Sequence, residues 1–401
     1  MHCLFCFMLA LLMSKSYQLY SLSKPFRKSL TRFRQSVSSM DVIIPSSAAP
    51  LGRVKIRKRN FWVKRDDQWR LSGELGGGIS GNKARKLLHF AVNRTSTAPI
   101  VASMGGHQSN ACVAMAALCR ARGLRMLYLC KPVPRWLRKN PAGNYARGLA
   151  LGVELVPLQP EVYRRCTYDV IYRDQLLQQL IDDDDQIEWL PQGAAYVGAE
   201  YGISILAQEL AEAFQGSPLR VVLPGGTGTT ALFLARHLVK HAPNSLVFCV
   251  PCGTTAKGLE VQMQSLDKAS GGHGIFPIIL DDPNPKFRFG TPSDREWRIW
   301  NEIKDAGLFL ELLYAPHTWD IVLRALGLDS DPDIQKCSML YDDDADNIVY
   351  LHCGGIEGVA TQLTRYRRAG FHFDDDDADA DELLLTLDKN DGLNTVKSPT
   401  Y

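Results

Sequence analysis

The chain has 401 residues, 45% hydrophobic and 22% charged, with 46 lysines and arginines against 43 acidic residues. This is an ordinary globular composition, long enough for two domains and a sizeable core. The formal charge of +3 comes from the N-terminus: residues 1–40 hold six basic residues and no acid, which leaves the rest acidic by three. No basic face emerges, so nucleic acid is not an expected partner.

Residues 4–13 form an apolar run of signal-peptide length, too short to span a bilayer. A Ser- and Arg-rich, acid-free stretch then runs to Met40, with the composition of an organellar transit peptide. The tandem suggests a bipartite plastid signal, and the second stretch alone suits a mitochondrial one. A secretory signal would lack its charged n-region, and Met40 offers an alternative start for a cytosolic form. Residues 1–40 are therefore expected to be a targeting presequence, with no membrane association after processing. The ten cysteines show no disulfide framework. Cys249-Val250-Pro251-Cys252 has no second pair and no nearby histidine, so it reads as small buried residues, with redox sensing as the alternative and no metal expected.

A β-like segment over 54–64 leads into Lys64-Arg65-Asp66-Asp67, then the glycines Gly76, Gly77, Gly78 and Gly81. Ser80-Gly81-Asn82-Lys83-Ala84-Arg85-Lys86 opens a helix whose apolar face is Leu87, Leu88, Phe90 and Ala91. Ser80 and Asn82 are candidate caps. A lysine in a first helical turn opposes the helix dipole unless an anion or an aldehyde lies beside it. The bland alternative is a solvated lysine on an exposed turn.

Pro99 ends that helix, and a short strand over 100–103 reaches Gly105-Gly106-His107-Gln108-Ser109-Asn110, which opens an Ala-rich helix closed by Gly123. A strand over 124–129, a helix over 143–151 and a strand over 153–156 follow. The alternation predicts an α/β fold with mostly parallel sheets flanked by helices, and puts residues 108–110 at a strand-to-helix turn where such sheets bind ligands. After an acidic loop at 182–185 and a helix over 201–214, the apolar strand Val221-Val222-Leu223 feeds Pro224-Gly225-Gly226-Thr227-Gly228-Thr229-Thr230. This turn at a helix N-terminus suits a single phosphate. It has neither the lysine of a Walker A loop nor the third glycine of a dinucleotide fingerprint. A tight turn without ligand is the even alternative for this motif alone. Helices over 294–307 and 318–326 flank Tyr314, and a buried-type strand over 348–351 enters His352-Cys353-Gly354-Gly355. Beyond residue 373 the chain is acidic, then polar.

These motifs, in this order, resemble the D-cysteine desulfhydrase and 1-aminocyclopropane-1-carboxylate deaminase family of pyridoxal-phosphate (PLP) enzymes, of the tryptophan-synthase-β fold type. The likeness runs over about residues 63–371. It implies a two-domain homodimer, with a large PLP-binding domain over 51–100 and 215–372, a small domain over 101–214 and an acidic tail over 373–401. It implies that Lys83 carries PLP as a Schiff base and that Lys86 helps neutralise its phosphate. The turn Gly226-Thr227-Gly228-Thr229-Thr230 matches the phosphate loop, and Asn110 the asparagine beside the pyridine 3′-oxygen. Gln108, Ser109 and Asn110 match the substrate loop, Ser109 being placed to assist proton transfer. Tyr314 matches the active-site tyrosine, and Cys353 falls where the family's chain approaches the pyridine nitrogen. The implied reaction is carbon–sulfur lysis of a small amino acid, D-cysteine first. Aminocyclopropane carboxylate deamination, a racemase or dehydratase, and a non-catalytic PLP sensor are the alternatives. Phe289 stands where the family has a tyrosine, Ala315 where the deaminases have an acid, and His107 where an aliphatic residue is usual. The first two argue against ring opening.

Overall fold

The computed structural model describes residues 44–45, 47–182, 184–281, 287–329, 337, 339–340 and 347–371. The expected presequence and acidic tail lie outside the described residues.

The first segment is a hairpin rather than one strand. β1 (Leu51–Ile56) and β2 (Arg59–Lys64) pair antiparallel through a two-residue turn in which Arg57 and Lys58 both take positive φ, 47° and 70°. That is the backbone of the turn favoured in tight hairpins, here without the glycine or asparagine that advertises it. Helix α1 (Gly81–Asn93) follows, then β3 (Ile100–Gly105), α2 (Asn110–Ala121), β4 (Arg125–Cys130), α3 (Arg135–Lys139), α4 (Gly143–Ala150), β5 (Val153–Pro157), α5 (Pro160–Tyr168), α6 (Val170–Gln178) and β6 (Ile187–Trp189). The second half runs α7 (Ala199–Ala213), β7 (Arg220–Gly225), α8 (Thr229–His241), β8 (Leu246–Pro251), α9 (Ala256–Ala269), β9 (Ile278–Ile279), α10 (Asp294–Asp305), α11 (Ala315–Ala325), β10 (Ile348–Leu351) and α12 (Val359–Arg368).

Two sheets result. One is wholly parallel, in the order β5-β4-β3-β6; the other runs β1-β2-β10-β7-β8-β9 and is parallel apart from the hairpin. Their central strands, β3, β4, β7, β8 and β10, are buried on both faces, which is why these read as apolar runs. In β7, Val221 and Leu223 pack with α7 and α8, whereas Val222 turns to the opposite layer with Trp319 of α11. In β3, Val101 packs with α1 and α2, and Ile100, Ala102 and Met104 with Cys166 and Leu177 of α5 and α6.

Helix α1 is moored by charge as well as by its apolar face. Arg85 is fully buried, its guanidinium 4.0 Å above the Trp69 ring. Its Nε donates to Asp66 Oδ1 at 3.0 Å, and Nη1 and Nη2 donate to the two Glu209 oxygens at 2.7 and 2.9 Å. Lys64 completes the group, donating to Glu209 at 2.7 Å and to the Ala49 carbonyl at 2.8 Å. Gly202 of α7 lies against the Arg85 carbonyl, too close for any side chain there. Removing one partner of a buried ion cluster strands the others. Arg85→Met is therefore expected to cost about 3–5 kcal/mol in urea unfolding followed by tryptophan fluorescence. Arg125→Ala, which breaks an exposed pair with Glu154, should cost less than about 1 kcal/mol.

Candidate active site

Strand β7 delivers the chain into a turn that only glycines can make. A side chain at Gly225 would strike Cys249 Sγ at 2.6 Å, and one at Gly228, which has φ 69°, would strike Met263 at 2.5 Å. Gly228 is the N-cap of α8, and no side chain caps that helix. Its first N–H groups and the positive end of its dipole are thus available to an anion. Thr227 and Thr229 share a hydroxyl hydrogen bond of 2.9 Å, and Thr229 and Thr230 are buried.

Lys83 and Lys86 reach the same space from α1. Ser80 is the N-cap of α1 but its side chain makes no capping bond. Asn82 instead accepts from Lys83 Nζ at 2.9 Å. Gly81, at φ 71°, donates to the Trp69 carbonyl, and Asn82 N–H donates to the Cys353 carbonyl at 3.1 Å. A Cβ at Gly81 would lie 2.6 Å from that carbonyl oxygen, so glycine is what allows α1 to start against the 353–355 turn. Lys83 is half-buried; burial lowers its pKa, against the opposing pull of Cys353 and Glu311. Lys86 is buried and its pKa falls well below the ordinary lysine value, through burial and then through the charge of Lys83. The Cys353 thiol is pushed up to about 12 by burial, against the pull of Lys83. His352 accepts from Gly354 N–H at Nδ1 (3.3 Å) and places Nε2 3.2 Å from the Phe309 carbonyl; burial lowers its pKa, so it is a neutral spacer.

The third wall is the loop before α2. Ser109 is the N-cap of α2, accepting from Cys112 N–H at 3.3 Å. Asn110 accepts from the side-chain amide of Asn144. The Gln108 side chain is spent on the fold: Nε2 donates to the Ala142 carbonyl and Oε1 accepts from Tyr145 N–H, both at 3.1 Å, holding the start of α4. Tyr314 abuts the glycine turn, since a side chain at Gly226 would meet its ring at 3.6 Å, and its ring lies 5.0 Å from that of Phe289. Burial raises the Tyr314 pKa and keeps its hydroxyl protonated.

All the residues expected from the sequence, Lys83, Lys86, Gln108, Ser109, Asn110, Gly226 to Thr230, Tyr314 and Cys353, line one cavity of about 1060 Å³. Glu311 lines it too and was not expected. Its carboxylate, 5% exposed, accepts the N–H groups of Leu313 (2.6 Å), Tyr314 (3.0 Å) and Ala315 (2.7 Å). Burial pushes its pKa up to about 7 against those bonds. The signal for it was a lone acid inside the apolar run 308–313.

A family model described as pyridoxal-phosphate dependent enzyme matches residues 44–305. The chain belongs to that family. Its cofactor is therefore PLP, and the site fits the group: two buried or half-buried lysines, three threonines and an uncapped helix N-terminus suit an aldehyde and a phosphate. Among solved structures, a homologue of ACC deaminase aligns at a TM-score of 0.62 over 80% of this chain and 94% of its own, with 18% identity. A hydrogen sulfide-producing enzyme from Fusobacterium nucleatum aligns at 0.52 over 80% of this chain and 98% of its own, with 12% identity. These likenesses establish the fold, that of fold-type-II PLP enzymes. No curated protein matches the sequence.

A carboxyl whose folded pKa lies above its unfolded value binds its proton more tightly in the native state. For Glu311 the stability of the cofactor-free protein should fall as pH rises from about 4.5 to about 7, by at most about 1.4 kcal/mol per pH unit. His107, His237 and His352 have lowered pKa values, which give the opposite slope. Urea unfolding at pH 5, 6 and 7 should therefore show the Glu311 contribution as the difference between the wild type and Glu311→Gln.

Proposed function

We propose that this PLP enzyme is a carbon–sulfur lyase of a small amino acid, converting D-cysteine and water to pyruvate, ammonia and hydrogen sulfide. The observation that carries the reading is the pairing of Lys83 with Cys353. A lysine with a lowered pKa and a thiol held neutral line the same cavity, where burial also drives Tyr314 and Glu311 towards their uncharged forms.

When bound, PLP supplies the electron sink that stabilises negative charge at the substrate α-carbon. Lys83 would hold its aldehyde, with Lys86 and the Gly226 to Thr230 turn holding its phosphate and Asn110 its 3′-oxygen. Lys83, as a free amine, is the base for the α-proton, and burial raises the fraction that is neutral at physiological pH. Cys353, kept a neutral thiol by burial, would supply no counter-charge to the cofactor's pyridine nitrogen. That favours elimination over reactions that need a fully charged sink. Ser109 receives its hydrogen bond from Cys112 and so keeps its own proton to direct at the substrate. Tyr314 retains a proton that can meet the departing sulfur. Gln108, committed to α4, contributes by fixing the shape of the loop rather than by turning its amide to substrate.

Deamination of 1-aminocyclopropane-1-carboxylate has one observation in its favour. Glu311 restores a carboxyl beside Tyr314, although Ala315 lacks one. Phe289 still lacks the hydroxyl.

The test is an absorbance spectrum of the purified protein before and after D-cysteine, with pyruvate and sulfide measured together. A cofactor band that changes on addition, with equimolar release of both products, is expected. Lys83→Ala should remove the band and lower turnover by at least roughly a thousand-fold. Release of 2-oxobutanoate from aminocyclopropane carboxylate, with no sulfide from D-cysteine, would replace the first reading by the second.

A further inference from the structure

Helix α12 crosses from one sheet's loops to the other's. Thr361 touches the position of Gly143 at the start of α4, and the Arg368 guanidinium lies 4.5 Å above the Trp136 ring of α3. Between them, one turn from each, Arg365 lines the cavity. Its Nη1 donates to the Gly290 carbonyl at 3.1 Å, one residue past Phe289. Its charge reaches His107: burial first, and Arg365 second, lower the histidine's pKa. Among the described residues Arg365 has no carboxylate partner and no other hydrogen bond, so Nε and Nη2 remain free to donate. Glu311 is committed to three backbone N–H groups. Glu357 also lines the cavity, from the short helical turn that precedes α12, and forms no ion pair with Arg365 among the described residues.

An amino acid bound in this cavity presents three polar ends. Its amine goes to the cofactor and its α-carboxylate to the loop 108–110, on the reading given above. The side chain must face another wall. The wall formed by Phe289, His107 and Arg365 is apolar on one side and carries an unpaired guanidinium on the other. His107, its pKa lowered, meets a ligand there as a neutral ring with one N–H to give.

We propose that Arg365, with His107 beside it, is the specificity determinant of this site and selects amino acids whose β-carbon bears an anionic group. A carboxylate or another oxyanion fits the class, and the thiolate of cysteine is its smallest member. The fork of a guanidinium favours such groups over neutral side chains through charge-assisted hydrogen bonds. The proposal rests on the cavity being the amino-acid site of a PLP enzyme, and not on sulfide being released.

Equilibrium binding to the holoenzyme tests it, with D- and L-aspartate and D- and L-alanine as probes and the change in cofactor absorbance as readout. Aspartate should bind the wild type more tightly than alanine of the same configuration, by roughly ten-fold or more for at least one enantiomer. The preference should shrink at high ionic strength. Arg365→Met should bring aspartate to parity with alanine without changing the alanine constant, and Arg365→Lys should keep part of the preference. Equal affinities in the wild type would overturn the proposal, as would a preference that survives Arg365→Met. Equal weakening of aspartate and alanine in Arg365→Met would assign Arg365 to holding the Phe289-Gly290 turn and also overturn it. Failure to cleave D-cysteine would sink the lyase reading yet leave these constants as they are. A cofactor band indifferent to all four amino acids would sink the amino-acid site itself.

Discussion

Arg85 stands between two buried carboxylates, Asp66 and Glu209. Asp66 Oδ2 has no hydrogen-bond partner among the described residues, and burial already presses on Asp66 to give up its charge. Without the guanidinium, Asp66 would lose its ion-pair partner and Glu209 would keep only Lys64. The same helix carries Lys83 and Lys86. At 100° per residue Arg85 points roughly 200° away from Lys83, whereas Lys83 and Lys86 share a face. Anchor and reactive groups therefore occupy opposite sides of one rigid rod. The glycine at its first residue lets that rod begin in contact with the Cys353 carbonyl. The position of the Lys83 amine is set by charge on one side of the helix and by backbone contact on the other.

Inside the cavity the governing effect is desolvation. It lowers the pKa of Lys83 and Lys86 and raises those of Cys353, Tyr314 and Glu311, so amine, thiol, phenol and carboxyl are all driven towards their neutral forms. Permanent positive potential comes from elements that cannot shed a proton, the uncapped N-terminus of α8 and the guanidinium groups of Arg70, Arg120, Arg147 and Arg365. Positive potential that does not titrate thus lies beside titratable groups able to exchange protons.

The parts legible in the sequence are those in which local chemistry and global fold agree. The strand–helix alternation, the Lys83 helix and the threonine turn are each flanked by glycines whose geometry proves to be required, and all are where the pattern put them. What the sequence hid depended on distant partners or on residues out of character. The β1–β2 turn is built from Arg57 and Lys58 in a conformation normally betrayed by Asn or Gly. Helix α11 starts at Ala315 rather than near 318, because the Glu311 carboxylate takes the N–H groups that a serine or aspartate cap would take. Gln108 looked like a ligand-binding side chain; only the nearness of α4, 34 to 37 residues later, shows that its amide is already bonded. Asn144 was invisible for the same reason.

Strand β10 has one more consequence. It lies between β2 and β7, parallel to both, and leads two residues on into Cys353. Nearly three hundred residues separate it from β2. Until residue 351 has left the ribosome, β2 and β7 can each expose an unpaired edge, and the floor beneath Lys83 does not exist. Synthesis thus leaves the middle of the larger sheet open while its flanks are already made. Closure must wait for a long-range pairing of the kind that folds slowly and recruits chaperones. The contact between the start of α1 and residue 353 is thus made last, after the bulk of the chain around it has been made.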